Sequence, residues 1–165
     1  MSKKKIIAIV IMMVMIVGAA VETNTDFSKA ATSNVKKACV AALKKTGNVK
    51  KIGYKSSTAS DFDAISYKYN KKVSSFFFVT SDNTAYTICV AKAKSVNDAK
   101  KIYNAFSKYK YDKIHGTYFK TDYTKTEQSI IQNAIYGRKG KYIWYISMAS
   151  KKKNLNGEKA LKKKL

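Results

Sequence analysis

The run VSSFFFVTSDNTAYTICVA occupies residues 73–91. Its first half, residues 73–80, carries Phe76, Phe77, Phe78 and Val79, a β-forming block too short for a helix. Ser81-Asp82-Asn83 supplies turn chemistry. Residues 84–91 then alternate, with Tyr86, Ile88 and Val90 on one face and Thr87, Cys89 and Ala91 on the other. Two β-rich runs around a short polar turn predict an antiparallel hairpin.

Downstream the period changes. Ser95 stands where a helix N-cap belongs, and Asp98, three residues on, gives a weaker form of the capping box, which prefers Glu or Gln. Val96, Ala99, Tyr103, Phe106 and Lys110 step by three and four, so the first four predict one buried stripe, widened by Ile102 and Tyr109. Residues 113–123, with His115-Gly116, read as a connecting loop. Residues 129–136 and 141–148 are β-rich around the short turn Gly137-Arg138-Lys139-Gly140. They predict a second hairpin in which Trp144 shares a face with Tyr142 and Ile146.

Upstream, residues 28–46 are helical in pattern. Val35, Ala38, Cys39, Ala42 and Leu43 recur on one side, with Lys36, Lys37, Lys44 and Lys45 opposite, and Gly47-Asn48 is the stop. In residues 50–70, Ser60 or Asp61 caps a short helix carrying Phe62, Ile65 and Tyr69. After Lys151-Lys152-Lys153, Asn156 caps a last helix with Leu161 and Leu165 four apart. This order predicts an α+β domain: an antiparallel sheet of about four strands, built from two hairpins, with helices packed on one face.

The N-terminus has a three-part layout. Lys3-Lys4-Lys5 is a charged start, residues 6–17 are apolar without a charge, and Gly18-Ala19-Ala20 supplies small residues before Glu22. This is the pattern of a secretory signal with cleavage between Ala20 and Val21. The competing reading is an uncleaved anchor, although the apolar run falls short of the ~20 residues that span a bilayer. The expected division is a signal peptide over 1–20, a polar leader over 21–27 and one domain over 28–165. No cysteine lies just after the apolar run and Cys39 is too far downstream, so lipoprotein-type acylation at that point is excluded.

The formal charge is +23, and +20 with Lys3, Lys4 and Lys5 set aside. Such a chain is attracted to polyanions and anionic membrane surfaces. Arg138 is the sole arginine. Lysine is a hydrated point charge and lacks the planar fork that reads phosphate or guanine bidentately, so the balance favours diffuse attraction over specific nucleic-acid reading. A bland account stands beside this one, since a composition rich in Lys, Ile, Asn and Tyr is also what an AT-rich genome encodes. Tyr67-Lys68-Tyr69 and Tyr109-Lys110-Tyr111 interleave rings with cations, as surfaces that stack bases or sugars do. Tyrosines buried under lysine stems give the same pattern. The candidate polyanion contacts are Lys68, Lys108, Lys110, Arg138, Lys139 and Lys141.

The stretch TAYTICVAKAKSVNDAKKIYNAFSKYK (84–110) resembles the central strand–helix unit of domain-of-unknown-function family 4358, found in exported proteins and lipoproteins of Gram-positive, Clostridia-like bacteria. EQSIIQNAIYGRKGKYIWYIS (127–147) is similar to that family's closing hairpin, and residues 158–165 to its terminal helix. The likeness covers roughly the last hundred residues. It consists of strand, Ala-Lys and helix and holds no catalytic signature. The chain departs from many members in lacking the lipobox cysteine and in being basic. The resemblance implies a fold and an exported context, and no residue role.

Catalytic signatures are sparse. Cys39 and Cys89 are either two buried thiols acting as small hydrophobes or a disulfide, which an exported protein is free to form. Their spacing matches no zinc or redox motif. His115 is the only histidine, and Asp112 nearby makes an acid–base pair conceivable, against a plain loop histidine. Asp61 and Asp63 read as helix-capping acids before they read as a shared site. There is no glycine-rich phosphate loop, nucleophile elbow or paired glutamate. The expectation is a non-enzymatic, extracytoplasmic domain without cofactor or metal, associating with an anionic cell-wall polymer or membrane surface. The alternatives are a wall-active enzyme or its accessory subunit, and an extracellular protein-binding module.

Overall fold

The computed structural model describes residues 34–165. The expected signal, the polar leader, the Ala20–Val21 cleavage point and the start of the first helix lie outside these residues. Eleven elements follow one another: α1 (Asn34–Thr46), β1 (Tyr54–Ser56), α2 (Ser66–Tyr69), β2 (Val73–Thr80), β3 (Thr87–Ala93), α3 (Val96–His115), α4 (Phe119–Asp122), α5 (Lys125–Gln132), β4 (Ile135–Lys139), β5 (Tyr142–Ser147) and α6 (Lys151–Lys162). None of these helices is long and apolar enough to cross a membrane.

The α+β class with an antiparallel sheet is what the structure has. Both hairpins form, β2 with β3 and β4 with β5, and β3 pairs with β5 to join them, although Gly137, Arg138 and Lys139, expected in the second turn, are paired strand residues of β4. The sheet has five strands in the order β1-β2-β3-β5-β4, one more than expected. The extra strand is three residues long and pairs Tyr54 with Thr80 and Ser56 with Phe78.

Helices cover both faces of the sheet, not one. On the first face α1 and α6 lie over Phe77, Val79, Ile88, Val90, Trp144 and Ile146, joined by Cys39, Leu43 and Leu161. On the second, Ala99, Ile102 and Phe106 of α3 pack with Phe62 and Ile65 onto Phe76, Phe78, Cys89, Ala91, Ile143 and Tyr145. The reason is in the strands. β3 and β5 are apolar at odd and even positions alike, so each face must be withdrawn from water.

Two further expectations change. Residues 129–132, read as strand, are the end of α5. Thr124 accepts from the Glu127 backbone N–H while the Glu127 carboxylate accepts from Thr124, a complete capping box that starts the helix ahead of the β-rich run. The presumed loop over 113–123 is the last turn of α3 followed by α4. The last helix starts earlier than Asn156 suggests, with Ser150 at its N-cap. The Ser95 cap of α3 does form, its hydroxyl accepting from Asp98 N–H at 3.0 Å. Val96, counted in the buried stripe, is 45% exposed. Gly47, at φ +78, closes α1 in a left-handed conformation that favours glycine.

Candidate anion-binding surface

The acids are unevenly placed along the strands. At one end β2 turns into β3 through residues 81–86. Asn83 donates to Glu127 at 2.8 Å, and Lys113 near the end of α3 donates to Thr84, so the ends of α3 and α5 meet this turn. Asp63, Asp82, Asp112, Asp122 and Glu127 belong to this end, where Lys51, Lys108 and Lys113 stand among them. At the opposite end Ala93 N–H donates to Lys141 O at 2.9 Å and Lys94 N–H to Lys72 O at 2.8 Å. These bonds gather Lys72, Lys92, Lys94, Lys139 and Lys141, with Lys68 and Lys71 from the preceding turn and Lys100 from the start of α3. Asp98 is the acid there, bound by Ser95 and lying 3.6 Å from Lys72. The Ser95 hydrogen bond, and then Lys72, hold its carboxyl below the usual range.

Of the six proposed contacts, Lys68, Arg138, Lys139 and Lys141 stand exposed at this basic end. Lys68 lies 5.7 Å from the Tyr69 ring centroid. The other two are elsewhere. Lys108 is held by Asp112 at 2.6 Å, and half-buried Lys110 donates to Ala134 O at 2.7 Å. Burial lowers the Lys110 ammonium pKa. His115 is exposed and stacks on Tyr111 with centroids 4.0 Å apart. Asp112, its proposed partner, is engaged with Lys108. Asp61 accepts from Tyr54 and Ser56, which anchors the loop after β1. Cys39 and Cys89 are both fully buried free thiols, and burial raises both thiol pKa values. Among the described residues no group of three His, Cys, Asp or Glu side chains is placed to hold a metal.

Beside the basic end runs a groove of about 570 Å³ between α3, the edge strand β4 and α6. Lys100, Tyr103 and Asn104 form one wall, Glu158 and Lys162 the other, and Gly137, Arg138 and Trp144 lie between. Gly137 is opposite Trp144 in the β4–β5 register, and a Cβ there would stand 2.4 Å from the indole. Only glycine lets the ring lie flat against this strand. The indole N–H donates to Glu158 at 3.0 Å, Lys162 pairs with Glu158 at 3.1 Å, and the Lys162 ammonium sits 5.2 Å from the indole centroid. Glu158 is thereby compensated. Among the described residues neither Lys100 nor Arg138 has a carboxylate at ion-pair distance.

The sequence profile of the family described as Domain of unknown function (DUF4358) matches residues 67–148. Residues 67–148 belong to this family. The DUF4358 match runs from α2 to the end of β5 and includes Lys68, Lys100, Arg138, Lys139, Lys141 and Trp144. Glu158 and Lys162 lie beyond it, so α6 completes the groove from outside the matched region. No curated protein and no solved structure matches the chain.

Sequence reading missed a second polar cluster within the DUF4358 region. Lys113 donates to both Thr84 O and Thr84 Oγ1 at 2.7 Å, with its ammonium 5.4 Å from the Tyr109 and Tyr123 centroids. Thr84 has φ +58, a strained value for a residue that is neither glycine nor asparagine, and Lys113 clamps it there. Desolvation lowers the Lys113 pKa to about 8, against the pull of Asp63. No local signal marks this contact, because the partners lie 29 residues apart.

Proposed function

We propose that this chain is an exported, non-enzymatic module that associates with anionic polymer of the cell envelope. The observation that supports the reading is the charge and its uneven balance: +23 over the chain, with five of the eight acids among the described residues at one end of the sheet and Asp98 the acid among the lysines of the other. A polyanion is drawn to such a pole before any contact forms. Mature protein starting at Val21 is part of the proposal, and N-terminal sequencing of secreted material tests it. Recovery of intact chain from membranes replaces export by anchoring.

The binding test is a salt titration against teichoic acid, anionic vesicles and DNA. Affinity is expected to fall steeply with salt for each, since each neutralised phosphate releases counterions. The field is screened beyond roughly 8–10 Å at physiological ionic strength, so contact lysines dominate what remains. Absence of binding to all three at low salt refutes the proposal and leaves the charge as compositional background.

A further inference from the structure

We propose that the groove between α3, β4 and α6 is the docking site for a single flexible strand of a phosphodiester polymer of the polyol-phosphate kind. This rests on the polyanion reading above and gives it a place and a ligand class. Three observations carry it.

The first is charge at close quarters. Lys100 and Arg138 line the groove without a carboxylate partner among the described residues, and its one acid, Glu158, is held by Trp144 and Lys162. A phosphate entering the groove meets cations and no uncompensated anion.

The second is the arginine. It is the sole arginine among the 33 basic residues, and it sits here. A phosphodiester offers two non-bridging oxygens, which a planar guanidinium engages in a bidentate pair that lysine cannot make. A hydrogen bond from Arg138 Nη1 to Gly140 O at 3.3 Å ties the guanidinium to the hairpin turn.

The third is shape together with the state of the aromatic rings. A concave space of about 570 Å³ admits a thin chain, whereas a bilayer surface or a duplex stays outside it. Bases would need free ring faces. Trp144 is 1% exposed and spends its N–H on Glu158, and Tyr103 packs edge-on against Tyr136 at 5.2 Å. Asn104 supplies an amide suited to polyol hydroxyls. The site therefore favours a phosphate backbone with small hydroxylated linkers over a nucleic acid.

The experiment measures binding of full-length protein to synthetic poly(glycerol phosphate), to oligo(dT) of equal phosphate number and to phosphatidylglycerol vesicles, at low salt and at about 0.3 M salt. Lys100→Gln/Arg138→Gln is compared with Lys44→Gln/Lys45→Gln, which removes the same charge from exposed positions in the last turn of α1. The expected result is that binding of all three weakens with salt, and that poly(glycerol phosphate) alone stays measurable at the higher salt. The groove pair then loses about tenfold in affinity and about 2 in the slope of log K against log salt, and the control pair about twofold at most. Equal losses from the two pairs overturn the groove as the site and leave the diffuse reading standing. Oligo(dT) held as well as the polyol polymer at 0.3 M overturns the ligand class. No binding by the unmodified protein even at low salt removes both this inference and the reading beneath it.

Discussion

Asn154 is a polar side chain with no exposure. Its amide oxygen accepts from Met148 N–H and Ala149 N–H, and its nitrogen donates to Asn133 O and Ala149 O. It thus ties the end of β5 and the turn after α5 to the start of α6. Asn154→Ala strands those backbone groups, and a loss of about 2–4 kcal/mol is expected in urea or guanidinium denaturation. A loss below about 1 kcal/mol means that water replaces the bonds. Lys113 gives a pH signature. Its pKa is about 8 when folded against 10.5 for an ordinary lysine, so across that window the unfolded chain binds more protons and stability rises with pH. The penalty is fully present below pH 8 and is relieved as pH rises toward 10.5. Tyr109 and Tyr145, whose phenol pKa values burial raises, act in the opposite sense above pH 10, where an ordinary tyrosine ionises. Cys39 and Cys89, whose thiol pKa values burial also raises, lower stability over the same window in both proteins, so the expected signature is a difference: the native protein gains melting temperature relative to Lys113→Met between about pH 8 and pH 10. The sequence pattern shows residues of this kind poorly. Ser95 was legible because a cap acts within one turn, whereas the partners of Asn154 and Lys113 come from other elements.

The elements were more legible where one signal dominated. The Phe76–Val79 block, the alternation after Thr84 and the three-four step of α3 each have a single period: β2 formed at its expected bounds, β3 began three residues later than expected, and α3 ran on to His115. The failure at residues 129–132 is instructive. Ile130, Ile131 and Ile135 fit a strand or a helix face equally well, and the arbitrating signal lies upstream in Thr124-Lys125-Thr126-Glu127. That box makes α5 sensitive to one hydroxyl. Thr124→Ala is expected to cost about 1 kcal/mol, read by denaturation, and Thr124→Ser to restore most of it. An unchanged midpoint in Thr124→Ala places the stability of α5 in Ile131 packing instead. The second helical layer was also written in the chain. Cys89 and Ala91, like Ile143 and Tyr145, are as apolar as their neighbours on the opposite face, and a strand with two apolar faces needs two covers.

For the molecule as a whole, net charge was readable at once and its uneven balance was not, because that balance depends on which turns share an end of the sheet. The groove was half visible: Arg138 stood out as the sole arginine, but Lys100, Asn104, Glu158 and Lys162 come together only after α3 and α6 flank β4. The two thiols report on cooperativity. Cys39 and Cys89 have no exposure and lie in different layers, so a thiol reagent should label both at the rate of global opening and both promptly in denaturant. Fast labelling of Cys39 alone would mean that α1 detaches without the rest. The strand register has a last consequence. β1 covers only Phe78, Val79 and Thr80 of β2, so the outer rim of residues 73–77 has no strand beside it. Phe76 and Phe77 thus border an open margin, a template for another copy's backbone that lengthens if the short cover strand peels away. The exposed lysines, which make every copy repel its neighbour, then act as the safeguard against fibre growth. Self-association should appear first where salt or a bound polyanion silences that repulsion, and Lys55, on the strand that guards the margin, is where a loss of charge would be felt soonest.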